Sequence, residues 1–329
     1  MKLYMKTKFA IGCLVQWYEI EIIEEYIESL KDAIDIYDGE ILLDFTFITC
    51  QELEKIEGAD MADIIARWRK IITLLNDKGY KVCDRFEYRL HTIADYRRLF
   101  NTNYCDQVDV LIWGESDALL PKQMFGILDN LHQMSLQNNN PKYLSFFGMC
   151  KMWDDSWKTL EHPDFTDKPF YDKPEQFKPD HWWSLRYTMT KDEMNKINNK
   201  TDELDVKIMP QHKFNGCGLV ISSEVIRAGA NIPKSVFFVH EDSAFMWMTN
   251  KILGNIPQYV IKNILLVHNR KSLNKRAHIK GEVGKSIGQL RNSNEWYNVA
   301  NKMCEKNYQN LFNPQYKSYN WEDVWNNIK

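Results

Sequence analysis

The sequence predicts an α/β fold built around one sheet, with helices packed on both of its faces. Short apolar runs alternate with longer segments whose apolar residues recur at helical spacing. Alternation of strands and helices favours a mostly parallel sheet. A chain of 329 residues, 44% of them hydrophobic, is long enough to bury a core of this kind.

The predicted strands are apolar runs bounded by polar or turn residues. The most apolar run, 108–113, enters an acidic turn, and a short run at 80–83 follows the turn Asp77-Lys78-Gly79. The strand ranges predicted in chain order are 9–15, 41–48, 80–83, 108–113, 143–147, 206–209, 218–221, 236–239 and 259–267.

The predicted helices have apolar residues three and four positions apart. In the first of them, Ile23, Ile27 and Leu30 share one face. Ser222 or Ser223 is the expected N-cap of the short helix at 222–228. The helix ranges predicted in chain order are 19–36, 64–75, 92–100, 122–136, 191–199, 222–228, 241–253 and 295–312.

Composition and charge exclude several classes of protein. The formal net charge of -3 gives no global attraction to nucleic acid or anionic lipid. Seven scattered cysteines without a CxxC pair argue against a thiolate zinc site or a disulfide framework. The apolar run at 9–15 is too short to span a bilayer, so we expect a cytosolic protein without a transmembrane segment.

Two carboxylates one residue apart follow the strand at 108–113. Glu115 and Asp117 stand in the turn Gly114-Glu115-Ser116-Asp117. Ligands of parallel sheets bind at the carboxyl ends of strands, so this turn should lie beside the stretches 16–19 and 49–52. Carboxylates there are hard-oxygen ligands for Mg²⁺ or Mn²⁺. The alternative is a solvated turn with incidental acids.

The stretch from Gly114 to Pro121 resembles the DxD segment of inverting GT-A glycosyltransferases, especially the large family two. This sequence has Glu115 as the first acid and Ala118 in place of the last Asp of the family pattern, while Asp117 keeps the ligand position. The resemblance implies a GT-A fold, in which a Rossmann-like nucleotide-binding half and an acceptor-binding half surround one mixed sheet. It also implies Asp117 as a metal ligand, with Glu115 binding the metal through water or contacting the ribose.

Four further segments resemble the same family in the same order. The segment 91–101 resembles the helix before the DxD strand, 214–224 a glycine turn, and 239–245 a Glu-Asp motif. The last segment, 266–271, resembles the place near the end of the family's catalytic domain where a histidine, here His268, follows a strand and precedes basic residues. The resemblance implies that Arg97, Arg98 and Asn101 lie near the nucleotide and that Gly216 and Gly218 lie near the donor sugar. It also implies that His268 binds the metal or the diphosphate. Arg270 and Lys271 are implied to bind the diphosphate.

Asp242 is the predicted catalytic base, and Glu241 beside it is predicted to hold the acceptor. Since a helix N-terminus stabilises a carboxylate, Asp242 is expected to stay ionised near neutral pH. The alternative is that both acids merely cap a helix. After the first strand, Tyr18 or Trp17 is predicted to stack on the nucleobase, and Asp44 or Thr49 on the second strand or just after it could bind the base edge.

The resemblance divides the chain into four predicted parts. They are a nucleotide-sugar-binding half at 1–148, an insertion rich in proline and tryptophan at 149–187, an acceptor-binding half at 188–282, and a helical strap at 283–329. The insertion is a lid over the site or a surface segment that packs its own aromatic residues.

The predicted function is transfer of a sugar from a UDP-sugar, with Mn²⁺ or Mg²⁺, to a hydroxyl acceptor. The chain also resembles glycosyltransferases of tailed phages, which favours 5-hydroxymethylpyrimidine DNA in a host cytoplasm, bound by the basic stretch Lys262 to Lys285. Alternatives are transfer to a cell-envelope glycan and a non-catalytic module that binds a sugar nucleotide or glycan. A sugar nucleotidyltransferase is disfavoured because no glycine-rich phosphate loop follows the first strand.

Overall fold

The computed structural model describes residues 5–20, 22–49, 61–87, 91–150, 190–209, 216–268 and 295–328. One mixed sheet runs through them in the order β3-β2-β1-β4-β8-β6-β9-β5, with β7 paired to β9. Its nine strands are β1 Phe9–Gln16, β2 Ile41–Ile48, β3 Lys81–Glu87, β4 Val110–Trp113, β5 Ala118–Leu119, β6 Leu144–Cys150, β7 Val206–Ile208, β8 Val220–Ser222 and β9 Gln258–His268.

Parallel pairing joins the first four strands, and β6 is parallel to β9, whereas β8, β5 and β7 each pair antiparallel. The predicted α/β fold around one mixed sheet is therefore confirmed. The helices are α1 Ile23–Ile34, α2 Met61–Asp77, α3 Ile93–Tyr104, α4 Met124–Gln137, α5 Lys191–Asn198, α6 Ser223–Arg227, α7 Glu241–Leu253, α8 Glu295–Gln309 and α9 Trp321–Asn327.

Alternate residues of the central strands face opposite layers of helices. Phe9 of β1 packs on Phe125 of α4, with ring centroids 5.2 Å apart. Gly12 faces the other way, where α3 lies so close that a β-carbon would meet the Phe100 ring at 2.6 Å. The sheet is thus covered on both sides, which leaves its edges for ligands.

The predicted strand at 236–239 is wrong. Its backbone carbonyls are bound by side chains instead of by a neighbouring strand: Phe237 by Thr92, Val236 by Arg98, and Val239 by the thiol of Cys304. Apolar residues in this loop are buried under α8 and α9 rather than in the sheet. The apolar pattern of the sequence does not predict the two-residue strand β5 or the helix α9.

Among the described helices, none is both long and apolar enough to cross a membrane. The sheet runs without a break from the first predicted part of the chain into the third, and the part boundaries themselves stay a prediction. Most of the predicted insertion lies outside the described residues.

Candidate active site

Two segments that are distant in sequence meet at the carboxyl edge of the sheet. The turn after β4 is tied to β1 by a bond of 2.7 Å from the Gly114 amide to the Gly12 carbonyl. The end of β9 reaches the same turn because His268 is the register partner of Ala118 in β5. The acidic turn and His268 therefore share the edge at which open α/β sheets bind ligands.

Arg97 of α3 links the parts of this site. Only 2% of the residue is exposed. Its Nη2 atom donates to Glu115 Oε1 at 2.6 Å and to the Gly216 carbonyl at 3.0 Å, while Nη1 donates to Glu241 Oε1 at 2.7 Å. The guanidinium also lies 4.8 Å from the centroid of the Trp113 ring, within the range of a cation–π contact. One buried cation thus joins the acidic turn, the glycine turn and the start of α7.

His268 lies between the two acids of the turn. Its Nε2 atom is 3.0 Å from Glu115 Oε2 and 3.2 Å from Asp117 Oδ1, and its side chain is 1% exposed. Burial by itself lowers the pKa of His268, but the two carboxylates outweigh it and raise that pKa above the ordinary value. Burial raises the pKa of Glu115, but His268 and Arg97 outweigh it and hold that pKa well below its usual range.

This donor set fits a divalent cation. Carboxylate oxygens and an imidazole nitrogen are ligands that Mn²⁺ accepts in proteins. Glu115, Asp117 and His268 supply these atoms from one edge, and a carboxylate oxygen of each acid lies within 3.2 Å of His268 Nε2. A metal ion held by these three side chains would compensate the charge of both carboxylates.

The second acidic pair begins α7, and both of its carboxyl groups have raised pKa values. Burial, with a contribution from the charge of Asp242, raises the pKa of Glu241 to about 7. Burial likewise raises the pKa of Asp242, even though its Oδ1 atom accepts a bond of 2.6 Å from the Ser243 amide. Burial therefore opposes the stabilisation that the helix N-terminus gives the carboxylate, and the ionisation of Asp242 near neutral pH stays a prediction.

Asp117 and Asp242 belong to one cluster. A chain of contacts runs from Asp117 through His268, Glu115 and Arg97 to Glu241. Asp242 follows Glu241 directly and is within electrostatic reach of Arg97 and Glu115.

The predicted glycines have a local structural reason. A β-carbon on Gly216 would lie 1.9 Å from Arg97 Nη1, so only glycine leaves room for the guanidinium. Gly218 has a φ of 71°, a left-handed conformation that favours glycine, and its amide donates to the Trp113 carbonyl at 2.8 Å. The contact of these glycines with a donor sugar stays a prediction.

Arg98 and Asn101 have structural contacts. Arg98 donates to three backbone carbonyls of the loop at 232–236. The side chain of Asn101 accepts from Trp113 Nε1 at 2.9 Å and donates to Asn231 Oδ1 at 2.9 Å. These bonds hold the loop that leads into α7, and a nucleotide contact for either residue stays a prediction.

Asp44 lies within β2, where its side chain makes structural contacts, and a contact of this residue with a base stays a prediction. Its carboxylate is fully buried and is bound by Arg85 at 2.7 Å and by the Tyr104 hydroxyl at 2.6 Å. Thr49 is buried beside the edge, and its role stays a prediction. The side chain of Tyr18 lies outside the described residues.

Arg270 and Lys271 also lie outside the described residues, as does most of the basic stretch from Lys262 to Lys285. Lys262 itself forms an ion pair with Asp205, with 2.9 Å between Nζ and Oδ2. The predicted diphosphate contacts therefore stay predictions.

Two residues of the cluster were missed in the sequence. Cys217, which is 1% exposed, offers its sulfur within 4.8 Å of the ligand atoms of Glu115 and His268. Tyr26 of α1 is also 1% exposed, and its hydroxyl oxygen would lie 2.4 Å from a β-carbon built on Gly114. The glycines on either side of Cys217 were the available signal, whereas nothing local marks Tyr26.

No family model matches the chain, and no curated protein matches it. Solved structures similar to the chain include GT-A glycosyltransferases. GalNAc-T7 with UDP, GalNAc and Mn²⁺ is 10% identical with a TM-score of 0.49, and the match covers 98% of this chain and 54% of that one. S. aureus TarS 1-349 with UDP-GlcNAc is 9% identical with a TM-score of 0.45, covering 94% of this chain and 76% of that one. A UDP-glucose pyrophosphorylase complexed with UDP-glucose is 8% identical with a TM-score of 0.35, and the match covers 78% of this chain and 91% of that one.

The fold and the site define an α/β protein with an acid–histidine cluster at one sheet edge. Likeness at or below 10% identity and with TM-scores under 0.5 decides neither substrate nor reaction. The chain's own residues carry the functional assignment.

Proposed function

We propose that the chain is a metal-dependent, inverting glycosyltransferase that moves a sugar from a UDP-sugar to a hydroxyl acceptor. The observation that carries the proposal is the chain of contacts from Asp117 through His268, Glu115 and Arg97 to Glu241. It brings together the turn that resembles the DxD segment and the Glu-Asp pair that resembles the family's catalytic motif.

On the donor side, Asp117 and His268 would hold a divalent cation, and Glu115 would bind it directly or contact the ribose. The cation, when bound, neutralises the charge that develops on the departing diphosphate. Asp117 is 3% exposed and His268 is fully buried, so both ligand side chains are fixed by the surrounding fold. Arg97 fixes the side chain of Glu115 through the bond of 2.6 Å.

On the acceptor side, Asp242 takes the proton of the acceptor hydroxyl while that oxygen attacks the anomeric carbon. The bond from the anomeric carbon to the diphosphate oxygen breaks in the same displacement, and UDP leaves. A carboxylate with a raised pKa is a stronger base than a solvated one, and burial supplies that shift for Asp242. Glu241, held by Arg97, orients the acceptor.

The acceptor is an alcohol whose identity a screen has to establish. A 5-hydroxymethylpyrimidine in DNA is the acceptor favoured by the phage resemblance, and a cell-envelope glycan is the other. Within the described residues, DNA has no specific support, because Lys262, the one lysine or arginine of the basic stretch among them, is paired with Asp205. Labelled transfer to both acceptor classes separates them.

The test is turnover of UDP-sugars with Mn²⁺ by the full chain. UDP release is expected from the wild type and is expected to be lost in Asp117→Ala and in Asp242→Ala. Asp205→Asn changes an acid of the same sheet outside the cluster and should retain activity. Uridine triphosphate formed from UDP-sugar and pyrophosphate would instead identify a nucleotidyltransferase, and binding without turnover would identify a non-catalytic module.

A further inference from the structure

We propose that Cys217 is a ligand of the metal ion, so that the site binds borderline cations such as Zn²⁺ and Co²⁺ more tightly than Mg²⁺. The inference rests on the proposed metal site and adds to it a ligand that the resemblance does not imply. The scattered cysteines argued against a site built of several thiolates, and one thiol beside carboxylates and an imidazole is a different donor set.

The first observation is the spacing of the donor atoms. The carboxylate of Glu115, the thiol of Cys217 and the imidazole of His268 offer ligand atoms that all lie within 4.8 Å of one another. The ligands of a tetrahedral zinc-like ion, held at about 2.0–2.3 Å, lie about 3.3–3.8 Å from one another, so binding draws these three atoms together by at most about 1.5 Å. Asp117 adds a fourth donor, because its Oδ1 atom is 3.2 Å from the same His268 nitrogen.

The second observation is that the backbone holds Cys217 in place. The residue before it, Gly216, is packed against Arg97, and the residue after it, Gly218, has the left-handed φ of 71°. The Gly218 amide is bonded to the Trp113 carbonyl at the end of β4. The backbone that carries the Cys217 thiol is therefore hydrogen-bonded to the end of β4, and the acidic turn follows that same strand end.

The third observation is a buried hydroxyl next to the cluster. The Tyr26 hydroxyl is buried and has no hydrogen-bond partner within the part of the chain that the structure describes. The hydroxyl interacts electrostatically with Cys217 and Glu115. Its oxygen lies beside Gly114, the first residue of the acidic turn. An unpaired buried hydroxyl is costly, and a ligand held at the cluster would supply the missing partner.

A thiolate changes which metal the site prefers. Sulfur ligands favour zinc-like ions, whereas carboxylates alone suit Mg²⁺ and Mn²⁺. Three ligands drawn from Glu115, Asp117, Cys217 and His268 would leave the fourth position of a tetrahedral site for a diphosphate oxygen.

The experiment is a titration of the full chain with Co²⁺, followed by near-ultraviolet absorption, where a cobalt–thiolate bond gives a charge-transfer band. The wild type is expected to show the band, and Cys217→Ser is expected to lose it. Cys105→Ser, which changes a buried thiol far from the cluster, is the matched control and keeps the band. The affinity for Cd²⁺ should fall about 10- to 100-fold in Cys217→Ser, while the affinity for Mn²⁺ changes much less.

A band that persists in Cys217→Ser, or Co²⁺ binding to the wild type without a band, overturns the proposal. If Cys217→Ser does not fold by circular dichroism, alkylation of the wild type decides instead. Saturating Cd²⁺ should protect Cys217 from iodoacetamide and leave Cys105 unprotected, and equal labelling with and without Cd²⁺ contradicts the inference. Either failure leaves UDP-sugar turnover by the wild type untouched, so the proposed function is tested separately.

Discussion

Arg97 and Glu241 lie 144 positions apart in the sequence, and Nη1 of Arg97 donates to Oε1 of Glu241 across 2.7 Å. The other terminal nitrogen of the same guanidinium binds Glu115. One side chain on α3 therefore ties the acid that begins α7 to the acid that follows β4. Because these two acids belong to the acceptor and donor sides of the proposed reaction, Arg97 sets the distance between the sides.

Replacing Arg97 with methionine should destabilise the fold. The change leaves the partly buried carboxylates of Glu115 and Glu241 without their shared cation, and the loss should approach but not exceed the cost of breaking a fully buried pair, about 3–5 kcal/mol. Urea unfolding of wild type, Arg97→Met and Arg97→Lys measures the loss, and lysine should recover part of it. An unfolding free energy of Arg97→Met equal to that of the wild type would contradict the linking role.

The stability should depend on pH through Glu241. The folded chain keeps the proton of Glu241 up to about pH 7, whereas the unfolded chain releases it near the ordinary value of 4.5. The stability from this raised pKa is complete below the unfolded value and is lost as the pH rises through about 7. Glu241→Gln should lack this loss.

The measurement is the unfolding free energy of both chains between pH 4 and 8 at constant ionic strength. The difference between wild type and Glu241→Gln should change in favour of the glutamine variant as the pH rises. A difference that is constant over this range would mean that the pKa of Glu241 is not raised by folding.

Tyr308 of α8 should affect catalysis by positioning His240. His240 precedes the acidic pair with a φ of 64°, and its ring stacks on Tyr308 with centroids 4.8 Å apart. Removing the stack in Tyr308→Leu releases a strained residue and should lower kcat about 10- to 100-fold, because small shifts of catalytic groups are costly. The KM for the donor should change little.

The double variant Tyr308→Leu with His240→Gly tests the mechanism of that effect. Glycine adopts the left-handed conformation without strain, so it should restore part of the lost kcat. Loss of kcat that His240→Gly does not relieve would assign Tyr308 another role, such as its contact with Ser243.

The central strands β1, β2 and β4 were predictable because each is an apolar run of its own. β1, β2 and β4 bury nearly every side chain, and such continuous burial is visible in the sequence without knowledge of the partners. The loop at 236–239 has the same apolar character. Its backbone bonds go to Thr92, Arg98 and Cys304, which local periodicity does not reveal.

The site was predictable in part for the same reason. The acids and His268 follow strand ends or begin a helix, so their type and position were informative. Which of Arg97 and Arg98 enters the site depends on the rotation of α3 about its axis. Arg97 shares the buried face of α3 with Phe100 and Tyr104, whereas Arg98 lies outside that face. Tyr26 comes from the opposite layer of helices, and only the folded chain brings it to Gly114.

Binding and transfer measured separately in two variants test the central claim most directly. Calorimetric titration with UDP in the presence of Mn²⁺ should show at least about tenfold weaker binding in Asp117→Asn and wild-type binding in Asp242→Asn. Sugar transfer by Asp242→Asn should nevertheless fall about 10²- to 10⁴-fold, the usual loss on removing a general base. Manganese-dependent UDP binding that survives in Asp117→Asn, or undiminished transfer by Asp242→Asn, would contradict the assignment of one acid to each side of a single reaction.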